Sequence, residues 1–253
     1  MIGVFDSGSG GLTVLKEIHA RAPQLDVVYF GDLAHVPYGE KTPEELGALT
    51  VIAVEKLLSE GAENIVSACN SISASVAQPL IELLGRRRFG MVEMVGPTVA
   101  ALVPEAQAGK KLGLVGTRAT VQSRLYADAF ARRGVSLEAF PIPGLVEAIE
   151  SGGDAETVER LVGGAVAALA EKGCDTIMLG CTQYPLVEDV FKSAAVSRGG
   201  IEIVNPAHFV AAAVVERFGN EGGGALRFII SKDSDFFRNL VQKFFGEREI
   251  VVL

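Results

Sequence analysis

Cysteine is scarce in this chain, with three among 253 residues, and the three lie far apart. An odd number with no close pair supplies no disulfide framework, and the absence of C-x-x-C removes thioredoxin chemistry and most structural zinc sites. Free thiols are therefore expected. Long apolar runs are missing as well: stretches such as Phe209 to Val215 are far too short to span a bilayer. Met1 leads straight into Ile2-Gly3-Val4-Phe5 without a basic region or cleavage site, so a cytoplasmic location is expected. Clustered positive charge is nearly absent. The net charge is −8, and Arg86-Arg87-Arg88, the only basic run, reads as a solvated turn between a helix and a strand. Nucleic acid and anionic membranes both reward clustered Lys and Arg, so neither is an expected partner. The Gly-rich start Asp6-Ser7-Gly8-Ser9-Gly10-Gly11 fails the dinucleotide fingerprint, because Thr13 stands where the third glycine belongs, and no Walker lysine follows. This turn instead offers Asp6, Ser7 and free backbone N–H groups at a helix N-terminus, a setting suited to a carboxylate ligand.

What the chain does contain is an alternation of short β-branched runs and longer helical-period segments, the pattern of βα units with parallel sheets. Its length is near the upper limit for one core, which favours two domains. Strands are expected at Ile2–Phe5, Val27–Phe30, Asn64–Ala68, Lys111–Val115, Thr176–Gly180 and Ile201–Val204. Helices are expected at Leu12–Arg21, Pro43–Ser59, Val121–Arg132, Ala155–Glu171 and Pro206–Phe218. Val51, Val54, Leu57 and Leu58 fall on one helical face, as they should for a helix covering a sheet. Gly222-Gly223-Gly224 reads as a surface turn.

The most informative pattern is a repeat. Gly61 to Ser71 reads G-A-E-N-I-V-S-A-C-N-S and Gly173 to Gln183 reads G-C-D-T-I-M-L-G-C-T-Q, aligned without a gap. In each, a helical stretch ends at glycine, an apolar run follows, and a small residue, Cys and two polar residues close it. Ile2-Gly3-Val4-Phe5-Asp6-Ser7 likewise resembles Leu112-Gly113-Leu114-Val115-Gly116-Thr117. Two copies of one half-domain, face to face, put Cys69 and Cys181 on opposite sides of one cleft, a geometry suited to moving a proton across a carbon centre. Ligands of open α/β sheets sit beyond the carboxyl ends of strands, so all four turns are candidates to line it. A lone Cys is more often simply buried. The duplication, and the placement of both residues after their strands, argue against that here, whereas Cys174 precedes its strand and reads as packing. A thiol with a pKa of about 8.5 is only a few per cent ionised at neutral pH, so each needs a partner or a helix-end field. Asp6 could accept a proton from one of them. His19 reads as structural. A Cys-His hydrolase, or a metal site of Cys69, Cys181 and His35, stay open at this point.

Five segments together, D-S-G-S-G-G-L at Asp6–Leu12, V-P-Y-G-E-K at Val36–Lys41, A-C-N-S at Ala68–Ser71, G-T-R-A-T-V at Gly116–Val121 and G-C-T-Q-Y-P at Gly180–Pro185, resemble the signature segments of glutamate racemase, in family order and over essentially the whole chain. The resemblance implies an α/β protein of two pseudo-symmetric domains, with mostly parallel sheets flanked by helices and the active site in the interdomain cleft. The expected division is 1–96 with 207–253, and 97–206. It implies a cofactor-independent, metal-free racemase of glutamate that supplies D-glutamate for peptidoglycan, and a homodimer. Cys69 and Cys181 would be the acid/base thiols, assisted by Asp6 and Glu150, with Glu147 a rival for the last. Substrate contacts would come from Ser7, Pro37, Tyr38, Gly39, Asn70, Ser71, Thr117, Thr120, Thr182 and Gln183. Two positions depart from the family: Ser71 stands where threonine is usual, and Gln183 where the family has histidine. An amide neither gains nor loses a proton near neutral pH. Racemisation of aspartate or another acidic amino acid, or acidic amino-acid binding without turnover, are the alternatives this leaves.

Overall fold

The alternation read from the sequence is realised as two sheets in which every strand pairing is parallel. The computed structural model describes residues 1–73, 90–152 and 154–253. The first sheet has six strands in the order β10-β9-β2-β1-β3-β4, formed by β1 (Ile2–Asp6), β2 (Val27–Gly31), β3 (Asn64–Ser67), β4 (Met91–Val92), β9 (Leu226–Ile230) and β10 (Ile250–Val252). The second has four in the order β6-β5-β7-β8, from β5 (Leu112–Gly116), β6 (Leu137–Pro141), β7 (Thr176–Gly180) and β8 (Glu202–Val204). The chain thus leaves the first sheet after β4, builds the second, and returns to add β9 and β10. Arg86-Arg87-Arg88 lies outside the described residues.

The repeat is visible in the hydrogen-bond register. Ile2 pairs with Val27 on one side and Asn64 on the other; Leu112 pairs with Leu137 and Thr176. Ile65 faces Met91, and Ile177 faces Ile203. The same order, β2-β1-β3-β4 against β6-β5-β7-β8, therefore recurs.

Local chemistry explains why. Helices α2 (Pro43–Ser59) and α7 (Ala155–Glu171) each end at a glycine, Gly61 at φ +92° and Gly173 at φ +77°, a left-handed conformation that side chains with a Cβ resist. In both, the next amide returns to the last helical turn, Ala62 to Leu57 and Cys174 to Leu169. A glycine then lets each helix approach its central strand: a Cβ at Gly3 would sit 2.9 Å from Leu57 Cβ, and one at Gly113 would sit 3.1 Å from Leu169 Cδ1. Ala62 fills the remaining space in the first half and Cys174 in the second.

Each sheet is covered on both faces, which is why its central strands are buried along their whole length. In the first sheet, Ile2 and Val4 pack on the side of α1 (Gly11–Arg21), α9 (Ala207–Phe218) and α10 (Asp235–Phe245). Phe5, Val28 and Ile65 pack on the side of α2. The second sheet is flanked by α7, α6 (Leu145–Glu150) and α8 (Glu188–Val196) on one face and by α3 (Val95–Gln107) and α5 (Leu125–Ala131) on the other. On α2 the expected face packs as read, with Val54 and Leu57 buried and Val51 and Leu58 partly buried beside them, and Leu46, Thr50 and Ala53 extend it. One expectation is corrected. The single helix expected at Val121–Arg132 is broken: α4 (Arg118–Gln122) ends, Arg124 turns left-handed at φ 57°, and α5 restarts. No helix among the described residues is long and apolar enough to cross a membrane.

Because Gly61 and Gly173 hold equivalent left-handed positions, Gly61→Ala and Gly173→Ala should each lower unfolding stability by about 1–2 kcal/mol. Urea unfolding measures both. A clear loss in one and none in the other would show that the two turns are not equivalent.

Candidate functional site

The carboxyl ends of the strands converge on one cavity of about 620 Å3, partly open to solvent. Ser7 follows β1, Cys69 and Asn70 follow β3, Thr117 follows β5, and Cys181 to Gln183 follow β7. The Pro37–Gly39 segment after β2 and the Ile142–Glu150 segment after β6 complete the wall. This is where open α/β sheets leave a crevice, here closed by a second sheet facing the first.

Both duplicated thiols line the cavity, and both are buried, at 4% and 7% exposure. Cys69 Sγ lies 3.7 Å from Ser7 Oγ, to which it donates. Burial pushes the Cys69 thiol up to about 12, and the Asp6 charge adds to the rise, while amides of Ile72 and Ser7 oppose it. Burial likewise pushes Cys181 up, opposed by a hydrogen bond from the Gln183 backbone N–H. Both groups thus hold their protons in the empty cavity.

Asp6 stands behind Cys69 rather than in the cavity wall. Burial raises its pKa, against hydrogen bonds from the Gly8 and Gly11 amides and the Thr182 hydroxyl. Gly8 N–H donates to Oδ2 at 2.9 Å, and Thr182 Oγ1 donates across the cleft to Oδ1 at 3.2 Å. Its repeat counterpart is Gly116, so only one thiol has a carboxylate behind it.

The remaining expected residues divide by position. Ser7, Pro37, Tyr38, Gly39, Asn70, Ser71, Thr117, Thr182, Gln183 and Glu150 all line the cavity; Thr120 does not. It lies behind Thr117, which caps α4 by accepting the Thr120 N–H, with the two hydroxyls 3.0 Å apart. Thr117 also meets Ser71 from the other half, oxygen to oxygen at 2.9 Å. Asn70 Oδ1 accepts from Tyr126 OH at 2.6 Å, leaving its buried Nδ2 without a partner among the described residues. Of the two glutamates, Glu147 sits at the exposed rim, while Glu150 is held inside by Ser9 and Gln183.

None of the three histidines lines the cavity. His35 bonds Asp32, His208 bonds Glu17, and His19 packs edge-on to Phe245. Among the described residues no group of three or more His, Cys, Asp or Glu could hold a metal ion, so the Cys69–Cys181–His35 alternative is not assembled. Cys174 lies at the opposite end of β7, in the core.

Three contributions escaped sequence reasoning. Arg118 Nη1 reaches Glu40 Oε2 at 3.4 Å, an exposed ion pair at the cavity mouth. Asp32 anchors the Pro37–Gly39 wall by accepting Tyr38 OH at 2.5 Å and Ser231 Oγ at 2.7 Å. Ser9, in the glycine-rich turn, joins Gln183 and Glu150. Polarity at the end of an apolar strand was the available signal for Asp32 and Ser9; the pairing of Arg118 with Glu40 had none, since 78 residues separate them.

Comparison with known proteins follows the same line. The Asp/Glu/hydantoin racemase family model matches residues 2–214. The chain is 37% identical to glutamate racemase 3 of Caldanaerobacter subterraneus subsp. tengcongensis, over 93% of this chain and 87% of that one. Among solved structures, the glutamate racemase of Thermus thermophilus superposes with a TM-score of 0.81 at 32% identity, covering 100% of this chain and 95% of that one. A glutamate racemase isoform from Bacillus anthracis superposes at 0.86 with 28% identity, covering 100% and 96%.

The raised thiols make a stability prediction. Unfolded thiols ionise near 9, whereas the folded Cys69 keeps its proton to about 12. Below 9 both states hold the proton; above it only the unfolded state loses it, so stability must fall as pH rises from 9. The double variant Cys69→Ser/Cys181→Ser should lose stability less steeply between pH 9 and about 10.5, with up to about 1.4 kcal/mol per pH unit removed for each thiol. Equal slopes in urea unfolding would mean that the native thiols ionise as readily as free ones.

Proposed function

Since the chain belongs to the Asp/Glu/hydantoin racemase family, and within it to the glutamate racemases, it is an amino-acid racemase, and we propose that it interconverts L- and D-glutamate by passing the α-proton between Cys69 and Cys181. The observation that carries this reading is the pair of duplicated, buried thiols lining one cavity from opposite halves of the molecule.

One thiolate removes the α-proton from one face of the substrate, and the opposite thiol supplies a proton to the other face. An α-hydrogen is a very weak acid, so the developing carbanion needs fixed hydrogen-bond donors and exclusion of water. The free Nδ2 of Asn70 and the Ser71–Thr117 hydroxyl pair are suitable donors for substrate carboxylates. Since both thiols hold their protons when the cavity is empty, the substrate must help to ionise one. Its α-ammonium group, placed between them, favours the thiolate by direct attraction. Asp6 takes up and returns a proton on the Cys69 side. Gln183 cannot do so on the Cys181 side, where its side chain instead bonds the Glu150 carboxylate. The D-glutamate formed would feed peptidoglycan synthesis. Within this reading the cleft separates a first domain, 1–96 with 207–253, from a second, 97–206, and the protein works as a homodimer, which sedimentation would measure.

Incubation with L- and D-glutamate in heavy water tests the reading, with chirality and α-deuterium followed together. Racemisation with deuterium incorporation is expected, and Cys69→Ser or Cys181→Ser should lower it by about two to four orders of magnitude. Cys174→Ser should be nearly silent. Most activity surviving in a folded Cys69→Ser or Cys181→Ser protein would rule out the two-thiol route, and a panel with aspartate would reveal a different preferred substrate.

Cofactor independence is checked separately. Turnover should persist after exhaustive chelation and dialysis without pyridoxal phosphate. Recovery only on adding back a metal ion or pyridoxal phosphate would overturn it.

A further inference from the structure

Ser9, in the glycine-rich turn, reaches the other half with its side chain. It is wholly buried and does not line the cavity. Its hydroxyl donates to Glu150 Oε1 at 2.9 Å and accepts from Gln183 Nε2 at 2.9 Å, and the same amide donates to Glu150. Three side chains from three distant segments close a ring of hydrogen bonds.

The turn that carries Ser9 is itself held firmly. Gly8 N–H donates to Asp6, and Tyr29 OH donates to Gly8 O at 2.8 Å. Gly10 lies against the Cys181 loop so closely that a Cβ there would be 2.5 Å from Thr182 Oγ1 and 2.9 Å from Gln183 N. Thr13 Oγ1 adds a bond to Thr182 O at 3.0 Å. Ser9 is thereby a fixed point on the first half against which two cavity-lining side chains of the second half are set.

We propose that Ser9 is the positioning residue for the Cys181 side of the site, orienting the Glu150 carboxylate and the Gln183 amide as one unit. The reason is proton inventory. A serine hydroxyl has one hydrogen, and here it points to Glu150; the oxygen must then accept from Gln183, so the amide presents its NH2 to Ser9 and Glu150. A flipped amide would set its oxygen against both Glu150 Oε1 and the Ser9 lone pairs. Gln183 Oε1, buried and without a partner among the described residues, is left at the cavity side chain's free end. Glu150 is the one group in the ring that titrates, and it carries whatever proton this side of the site can exchange. Asp6, Glu147, Tyr29 and Cys181 are the other titratable groups around it. Burial raises Glu150, the Asp6 and Glu147 charges add to the rise, and the Ser9 and Gln183 donors oppose it.

The inference rests on the racemase reading for its kinetic consequence but can be tested without it. In the full-length protein, carboxyl 13C NMR with Glu150 assigned through Glu150→Gln should show the Glu150 midpoint rising by about one pH unit in Ser9→Ala, the effect of losing one donor to a carboxylate. Ser9→Cys, which keeps the size and donates weakly, should fall between. Turnover of glutamate by Ser9→Ala should drop by about tenfold with KM changed far less, the signature of lost positioning. The acid limb of its kcat profile should move up with the NMR midpoint. In a Gln183→Ala background the turnover loss from Ser9→Ala should shrink, because the amide that Ser9 sets is already gone, while the Glu150 midpoint still rises. An unchanged Glu150 midpoint in folded Ser9→Ala and Ser9→Cys proteins, or fully additive effects on turnover with Gln183→Ala, would overturn the proposal. A wild-type protein that does not racemise glutamate would defeat the functional reading alone, leaving the NMR midpoint to decide on Ser9.

Discussion

The site depends on a buried polar seam between two halves. A buried polar group left unpaired costs about 1–3 kcal/mol, so each side chain brought to the seam must find a partner from the opposite side or be kept for a ligand. Asp6 with Thr182, Ser71 with Thr117, Asn70 with Tyr126 and Ser9 with Glu150 and Gln183 meet that demand in pairs drawn from both sheets. The glycines make such closeness possible. A Cβ at Gly39 would stand 2.7 Å from Thr117 Cβ, and the seam at Gly10 is tighter still. The unpartnered Asn70 Nδ2 and Gln183 Oε1 stand out against so complete a pairing and mark where a substrate can complete it.

Duplication supplies the frame, and departures from it supply the chemistry. The turns Gly61 and Gly173, the helix-facing Gly3 and Gly113, and the thiols Cys69 and Cys181 are equivalent in position and surroundings. The flanking groups are not: Asp6 matches Gly116, and Ser71 matches Gln183. Racemisation requires two acid/base groups on opposite faces of a carbon, which a pseudo-twofold provides. It does not require identical partners behind them. In this protein the strand leading to one thiol's side of the cleft ends in a carboxylate, Asp6, and its counterpart in the other half ends in glycine, while the loop of the other thiol carries an amide, Gln183, bonded to Glu150.

Burial acts on function through the thiols. An exposed cysteine would be partly ionised near neutral pH, whereas these are held protonated by a dry environment and by the Asp6 charge. Under the proposed racemisation, a substrate cation beside the thiols would favour the thiolate. That links the closeness of the two halves, a packing property, to the point at which proton transfer can start.

Much of this was legible in the sequence because the signals are local or repeated. Hydrophobic period gave the strands at Ile2, Val27, Asn64, Lys111, Thr176 and Ile201 to within a residue or so, and the gapless repeat picked out Cys69 and Cys181 and dismissed Cys174. The expected elements omitted the thirteen-residue α3 and the five-residue β6, and signals failed where the structure is short or irregular. The two-residue β4 has no period to read, and the break at Arg124 depends on a single left-handed residue. The tertiary structure alone decided which side chains meet: that Ser9 rather than Ser7 reaches Glu150, that Glu150 rather than Glu147 turns inward, that Thr120 stands behind Thr117, and that the three histidines stay away from the cavity. Across the seam, contacts join residues up to 176 positions apart, and their partners are set by how two sheets face each other, a distance in space that no spacing along the chain encodes.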